Sequence, residues 1–218
     1  MNITAVIPCR AGSTRVKNKN FRSFASSNLL EIKVKQAKKL GIPVVINSDS
    51  DIARQIAYNN QVKFIKRPDY YASSECNNSE YYEYLGNSVD TEYIMILQPT
   101  APLLEDDTLG KVFNLFKENS NVYNSLVTAT YAKKHAWFND KPINYELKNT
   151  PNSQNLLPIV FPTFNVMICK VDSLLQSKNA ITDHCFFYEV SENESIEIDT
   201  QLEFDIAEFL YKKRYESK

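Results

Sequence analysis

The stretch Ile3-Thr4-Ala5-Val6-Ile7-Pro8-Cys9-Arg10-Ala11-Gly12-Ser13-Thr14-Arg15-Val16-Lys17-Asn18-Lys19-Asn20 joins a short apolar run to a cationic one. Ile3 to Ile7 reads as a buried strand that Pro8 stops, and the residues from there to Asn20 are largely small, polar or basic. No Asp or Glu occurs before Glu31, whereas Arg10, Arg15, Lys17, Lys19 and Arg22 crowd together. A strand therefore delivers a basic loop with no local counter-charge. Gly12 allows the backbone to approach a ligand, Ser13 and the loop N–H groups can donate, and Arg10 and Lys19 can neutralise an anion. A triphosphate suits this loop; charge alone leaves a solvated surface turn open as the alternative.

Working outward, Leu29, Leu30, Ile32, Val34, Ala37 and Leu40 recur at helical spacing until Gly41 and Pro43. Pro43 to Asn47 reads as a second strand, Ser48-Asp49-Ser50 as the cap of a helix over 51–60, and Val62 to Ile65 as a third strand. A helix following Ser79, a strand over 92–97, a helix begun by Asp106 and Asp107, and strands over 125–131, 164–169 and 186–190 continue the alternation. A short helix over 172–176 falls between the last two. Near-continuous apolar strands alternating with helices predict an α/β, Rossmann-like three-layer fold with a mostly parallel sheet. In such sheets ligands bind beyond the carboxyl ends of the strands, where the basic loop begins. Between Ala132 and Pro162 the periodicity breaks, which predicts an irregular functional or interface arm on a single domain over 1–218.

Composition narrows the function. With 25 Lys and Arg against 26 Asp and Glu the net charge is −1, which gives no electrostatic support for nucleic-acid or membrane-surface binding. Cys9, Cys76, Cys169 and Cys185 lie far apart without a C-x-x-C pair, and are expected to be buried free thiols. No apolar run approaches the ~20 residues of a membrane-spanning helix, and no signal segment precedes the first strand, so the expected location is the cytoplasm. The four glycines, Gly12, Gly41, Gly86 and Gly110, cannot form a P-loop, a dinucleotide fingerprint or a nucleophile elbow. His135 and His184, the only histidines, are too few for a histidine metal site and read as structural or surface residues.

An acidic stretch answers the basic loop. If Ser195 to Asp199 is extended, Glu197 and Asp199 share one face and Ile198 points to the other. Thr200 and Glu203 form a capping box, and Leu202, Ile206, Phe209 and Leu210 are expected to be the apolar stripe of the adjoining helix. Paired carboxylates of this kind suit Mg²⁺ when phosphates complete its coordination. A solvated acidic edge is the other reading.

Ile7-Pro8-x-Arg10-x-Gly12-Ser13 with Lys19-Asn20, then Gln98-Pro99-Thr100-Ala101-Pro102-Leu103, then Ile198-Asp199-Thr200 with Phe204, occur in an order that resembles the acylneuraminate cytidylyltransferase family. These enzymes make CMP-sialic acids and related CMP-nonulosonates. Ser48-Asp49-Ser50, Arg67-Pro68, Gln154 to Pro158 and Asn165 extend the likeness over nearly the whole chain. The resemblance implies that Arg10, Gly12, Ser13 and Lys19 hold the triphosphate of CTP while Asn20 and Ser79 read the cytosine. It places Gln98, Thr100, Gln154 and Asn165 at the acceptor and Mg²⁺ on Glu197 and Asp199, with Arg10, Lys19 and Asp199 catalytic. It also implies a homodimer built through the arm, with CTP and a small-molecule acceptor as partners. Leu104 and Ser153 stand where members often carry arginine, Glu197 replaces a more usual aspartate, and Lys17 a proline.

Transfer of CMP from CTP to a nonulosonic acid such as a sialic, legionaminic or pseudaminic acid, releasing pyrophosphate for cell-surface glycan synthesis, is the function these features imply. The missing arginines open two alternatives: a cytidylyltransferase acting on a phosphonate or phosphorylated acceptor, and a nucleotide-binding subunit without turnover. A purely structural domain would make the basic loop incidental.

Overall fold

The computed structural model describes residues 1–13 and 15–216. Its elements run β1 (Ile3–Pro8), α1 (Leu29–Lys38), β2 (Val44–Ser48), α2 (Asp51–Asn59), β3 (Lys63–Lys66), α3 (Asp69–Ala72), α4 (Asn78–Asn87), β4 (Tyr93–Leu97) and α5 (Asp106–Glu118). They continue with β5 (Ser125–Ala132), β6 (Trp137–Phe138), β7 (Lys141–Pro142), β8 (Ile159–Lys170), α6 (Val171–Ser177), β9 (Cys185–Glu189) and α7 (Gln201–Tyr215). The expected alternation is therefore present. Asn77, not Ser79, caps α4: its side chain accepts from Glu80 N and the Glu80 side chain returns to the cap N–H.

Seven strands form one sheet in the order β3-β2-β1-β4-β8-β5-β9. The first four are parallel, Ala5 standing between Val44 and Met95. β8 runs antiparallel to both β4 and β5, and β9 parallels β5. Alternation along β1 splits the core: Ile3, Ala5 and Ile7 pack with Leu30 and Val34 of α1, Ala53 of α2 and Phe116 of α5, while Val6 packs with Leu85 of α4 and Leu174 of α6 on the other face. The sheet is thus covered by helices on both sides, as the apolar strands require.

β8 begins earlier than the sequence suggested, because Ile159 to Pro162 pair with the end of β5 rather than belonging to the irregular arm. Phe164 has φ of 55°, and the β5–β8 register slips between Val127 and Ala129. The Thr128 hydroxyl bridges the bulge, accepting from Val166 N at 3.1 Å and Thr163 Oγ1 at 2.9 Å. The rest of the arm contains the β6–β7 hairpin, turned by Asn139 and Asp140, both with positive φ. Of the cysteines, Cys9 and Cys169 are buried, whereas Cys76 and Cys185 are only partly so, and all four are free.

The residues from Glu197 to Asp199 have no regular structure and lie outside the sheet, tied to the segment after β4 by the Ile198 N–H donating to Thr100 O at 2.8 Å. The capping box of α7 is present, with Thr200 Oγ1 accepting from Glu203 N. Its buried face differs from the expected one. Phe204 and Ala207 are buried and Leu210 and Tyr211 pack beside them, whereas Leu202, Ile206 and Phe209 are exposed at 68%, 42% and 66%. Two apolar stripes share this helix, and Phe24 selects between them: its ring meets Phe204 edge-on at 5.3 Å and Tyr211 at 5.4 Å.

Phe204→Ala is expected to cost about 3–5 kcal/mol in urea unfolding by opening that aromatic contact. Phe209→Ser, on the exposed stripe, should stay within about 0.5 kcal/mol of the parent. Glu203 offers a pH test, since backbone N–H donation from Asp199, then from Thr200, holds its carboxyl below the usual range despite partial desolvation. A depressed pKa contributes stability that is present above the unfolded value and lost as pH falls through the folded one. The melting-temperature gap between wild type and Glu203→Ala should accordingly be full near neutrality and close on acidification below about 4.5.

Candidate active site

β1 is the strand at which the sheet order reverses, with β2 on one side and β4 on the other. A crevice opens beyond the carboxyl ends at such a point. Here it is a cavity of about 350 Å³. From the β1 side come Pro8, Cys9, Arg10, Ser13, Arg15, Lys19 and Asn20; from the β4 side Gln98, Pro99 and Thr100; from before α7 Glu197 and Asp199. Arg67, Asn78 and Tyr81 close the remaining wall.

The basic loop is held by acids from elsewhere in the chain. Ala11 N donates to Asp49 Oδ1 at 2.9 Å, which gives Ser48-Asp49-Ser50 a role beyond capping α2. Lys19, only 9% exposed, donates its ammonium to the Ile198 carbonyl and to Asp199 Oδ1 at 3.2 Å. Arg15 Nη2 reaches the same carboxylate oxygen at 2.8 Å. Arg10 is exposed and donates to Ala72 O at 3.4 Å, its charge unmatched by a carboxylate contact among the described residues. Asn20 is buried with an Oδ1 that no described donor reaches.

Glu197 accepts from Thr100 Oγ1 at 3.0 Å. Glu197 lines the cavity, and desolvation raises the pKa of its carboxyl. The Thr100 hydrogen bond opposes that rise and the neighbouring Asp199 charge adds to it. Burial pushes the Cys9 thiol up to about 11, leaving it a poor nucleophile. Both carboxylates retain lone pairs towards the cavity, and Ile198 between them is fully buried, which is the alternation expected of this segment. Such a pair fits Mg²⁺, an ion that takes one or two protein carboxylates and completes its shell with water and phosphate. Among the described residues no group of three or more His, Cys, Asp or Glu forms an all-protein cage.

The cavity therefore gathers Arg10, Ser13, Lys19, Asn20, Gln98, Thr100, Glu197 and Asp199. It leaves out Gly12, Ser79, Gln154 and Asn165. Gly12 is exposed, and a Cβ there would meet no atom within 4 Å, so packing does not demand glycine. Ser79 is exposed on α4, and Asn78 beside it lines the cavity instead. Gln154 is exposed on the arm, its carbonyl accepting from Lys133. Asn165 is fully buried and does not line the cavity; its Nδ2 donates to Glu194 O at 2.7 Å, its backbone carbonyl accepts from Gln98 N, and its Oδ1 meets no described donor. It props the second motif against the segment leading to Glu197. Leu104 is 1% exposed in the core and Ser153 lies exposed on the arm, so neither departure from the family's arginines falls in the cavity.

The sequence marks Arg67 only as part of the likeness and gives neither it nor Tyr81 a place in the site. Arg67 is 4% exposed, donates to Asn47 Oδ1 at 2.8 Å and Asn47 O at 2.9 Å, and stacks over Tyr81 at 4.6 Å. An arginine directly after β3, at a carboxyl end of the parallel part of the sheet, is the available signal. The histidines do not line the cavity; His135 Nε2 lies 3.1 Å from Pro151 O on the arm.

The chain matches the family described as cytidylyltransferase over residues 4–213. It is 29% identical to the post-translational flagellin modification protein B of Campylobacter coli, covering 97% of this chain and 96% of that one. It is 26% identical to the pseudaminic acid cytidylyltransferase of Campylobacter jejuni subsp. jejuni serotype O:2, covering 100% and 99%. A solved structure of CMP:2-keto-3-deoxy-manno-octonic acid synthetase complexed with CTP shares the fold, with a TM-score of 0.70 at 13% identity over 98% of this chain and 100% of that one. The resemblance carried by the three motifs is borne out, and with the match running along nearly its whole length the chain belongs to the cytidylyltransferase family of nucleotidyltransferases.

Proposed function

We propose that the protein transfers CMP from CTP to a nonulosonic acid, with pseudaminic, legionaminic and sialic acids as the acceptor class, and releases pyrophosphate. The observation that carries this reading is the meeting of a cation-rich loop and a carboxylate pair in one cavity at the sheet's switch point, in a chain related over its full length to a pseudaminic acid cytidylyltransferase. Arg10 and Ser13 face where an anionic triphosphate would lie, and Lys19 and Arg15 stand between that position and Asp199. The buried Asn20 Oδ1 is an acceptor without a donor, which the exocyclic amine of cytosine would supply.

In the reaction the acceptor hydroxyl oxygen forms a bond to the α-phosphorus and loses its proton, while the α–β phosphoanhydride bond breaks and pyrophosphate departs. Arg10 binds the leaving phosphates and Lys19 holds Asp199 against the loop, so the donors are in place before charge develops. Glu197 and Asp199 would hold Mg²⁺, which when bound would draw charge from the phosphate oxygens. Gln98 orients the acceptor from the β4 side. Because Leu104 and Ser153 lie outside the cavity, nothing in this site favours a phosphonate acceptor over a sugar acid.

The arm supports a homodimer. Trp137, Phe138, Ile143, Leu147 and Leu157 expose between 53% and 74% of their surface on it, apolar exposure of the kind that marks protein contacts. Four free cysteines and a need for CTP fit a cytoplasmic setting.

CTP with Mg²⁺ should raise the melting temperature more than ATP, GTP or UTP does, and pyrophosphate should appear only when a nonulosonic acid is added. Asp199→Ala should abolish that release; equal turnover by Asp199→Ala would sink the metal and catalytic assignment. Replacing Trp137 and Phe138 by Ser should convert a dimer to a monomer in analytical ultracentrifugation, and a monomeric wild type would remove the dimer from the proposal.

A further inference from the structure

The segment from Gln98 to Glu105 brings Gln98 and Thr100 to the cavity, yet it contains Pro99 and Pro102 and has no regular structure. Long side chains from two helices take up its carbonyls. Ala101 O accepts from Lys33 Nζ at 3.0 Å, Leu104 O from Gln36 Nε2 at 2.8 Å, and Leu103 O from Arg214 Nη1 at 2.7 Å. Lys33 is the unusual member. It lies within α1 at 0% exposure and also donates to Gln36 Oε1 at 2.7 Å. Gln36 in turn donates to Asp106 Oδ1 at 3.1 Å, and Lys39 pairs with the other oxygen of that carboxylate.

A buried amine is costly, and the apolar packing of α1 against the sheet does not call for one. Burial pushes its pKa down to about 7, with the Asp106 charge opposing. Ammonium and amine alike can donate to Ala101, so the contact does not depend on the protonation state. What the amine reaches is one residue from the site. Thr100 donates its hydroxyl to Glu197, and its carbonyl accepts from the N–H of Ile198, the residue between the two carboxylates. Arg10 and Ser13 arrive separately, from β1.

We propose that Lys33 is a positioning residue for the transfer reaction: by fixing the Ala101 carbonyl from α1 it sets Thr100, which in turn orients Glu197 and registers Ile198. It touches neither substrate. The kinetic part of this proposal rests on the cytidylyltransferase reading; the structural part does not. Gln36 and Arg214 secure the far end of the same segment, so the segment remains attached without Lys33 while the part nearest the carboxylates loses its anchor.

The test is Lys33→Met in the full-length chain, measured well below its own melting temperature so that the protein compared is folded. We expect kcat/KM for the acceptor to fall at least about tenfold, as small misplacements of reacting groups do, with the CTP dissociation constant within about threefold of wild type. The Ile198 amide should exchange hydrogen about tenfold faster, while the β1 amides of Val6 and Ile7 keep their protection. Lys33→Gln, which keeps a donor, should recover part of both losses. A folded Lys33→Met with wild-type acceptor kinetics and a protected Ile198 amide would overturn the proposal. So would a loss of CTP affinity in step with turnover, which marks general damage. Should the wild type transfer no CMP at all, the functional reading fails by itself, and Ile198 exchange still decides whether Lys33 sets the segment.

Discussion

The ammonium of Lys19 joins parts of the chain 180 positions apart, bonding the Ile198 carbonyl and Asp199 from the basic loop. Without an acid the loop would be a knot of like charges at the end of β1. The chain supplies that acid from the approach to its last helix. Val16, Phe24 and Leu29 around the loop share one apolar cluster with Ile198, Phe204 and Ala207, and Leu103 from the second motif joins them. Docking of α7 and assembly of the site are thus one event: the packing that buries Phe204 also carries the carboxylates to the cations. An ion pair that is partly exposed adds little stability by itself. Its value here is register, since it selects which end of the acidic segment faces the loop.

The sheet supplies the second constraint. Because β2 and β4 flank β1, the connections leaving β1 and β4 diverge at their carboxyl ends and leave a crevice. The β1 connection is cationic and is tied down by backbone and carboxylate contacts, while the β4 connection is proline-bounded and held by side chains from α1 and α7. Both walls are also tied to the C-terminal part of the chain, the first through Asp199 and the second through Arg214. One wall brings Arg10, Ser13 and Lys19 to the cavity and the other Gln98 and Thr100, whose hydroxyl donates to Glu197.

Much of this was legible. β1, β2 and β4 are short buried runs led by apolar residues, and such runs read as buried parallel strands whatever their neighbours do. The three motifs named the residues that meet in the cavity. What escaped has physical causes. Periodicity carries no strand direction, so the antiparallel course of β8 and the early pairing of Ile159 could not be read. α7 offers two apolar stripes, one through Leu202, Ile206 and Phe209 and one through Phe204, Ala207 and Tyr211; only the position of Phe24 decides between them. Lys33 reads as a solvent-facing residue in any amphipathic pattern, and its burial comes from the carbonyls of a segment far off in sequence. Asn165 carries no mark in the sequence of its burial, which comes from pairing on both sides of β8 and from its contact with Glu194 O.

The bulge at Phe164 divides β8 into two working halves. On its far side Ile159 to Pro162 zip against β5 and close off the arm as a long excursion between two paired strands; on its near side Val166 to Lys170 bridge β4 and β5 in the sheet's centre. Lengthening a closed excursion of this kind costs little in chain entropy. The arm can therefore be rebuilt, in size and in the surface it offers a neighbour, while Asn165 and the strand ends that bear the cavity stay where the central register puts them. Trp137, Phe138, Ile143, Leu147 and Leu157, all exposed, lie on the segment whose remodelling disturbs the central sheet least.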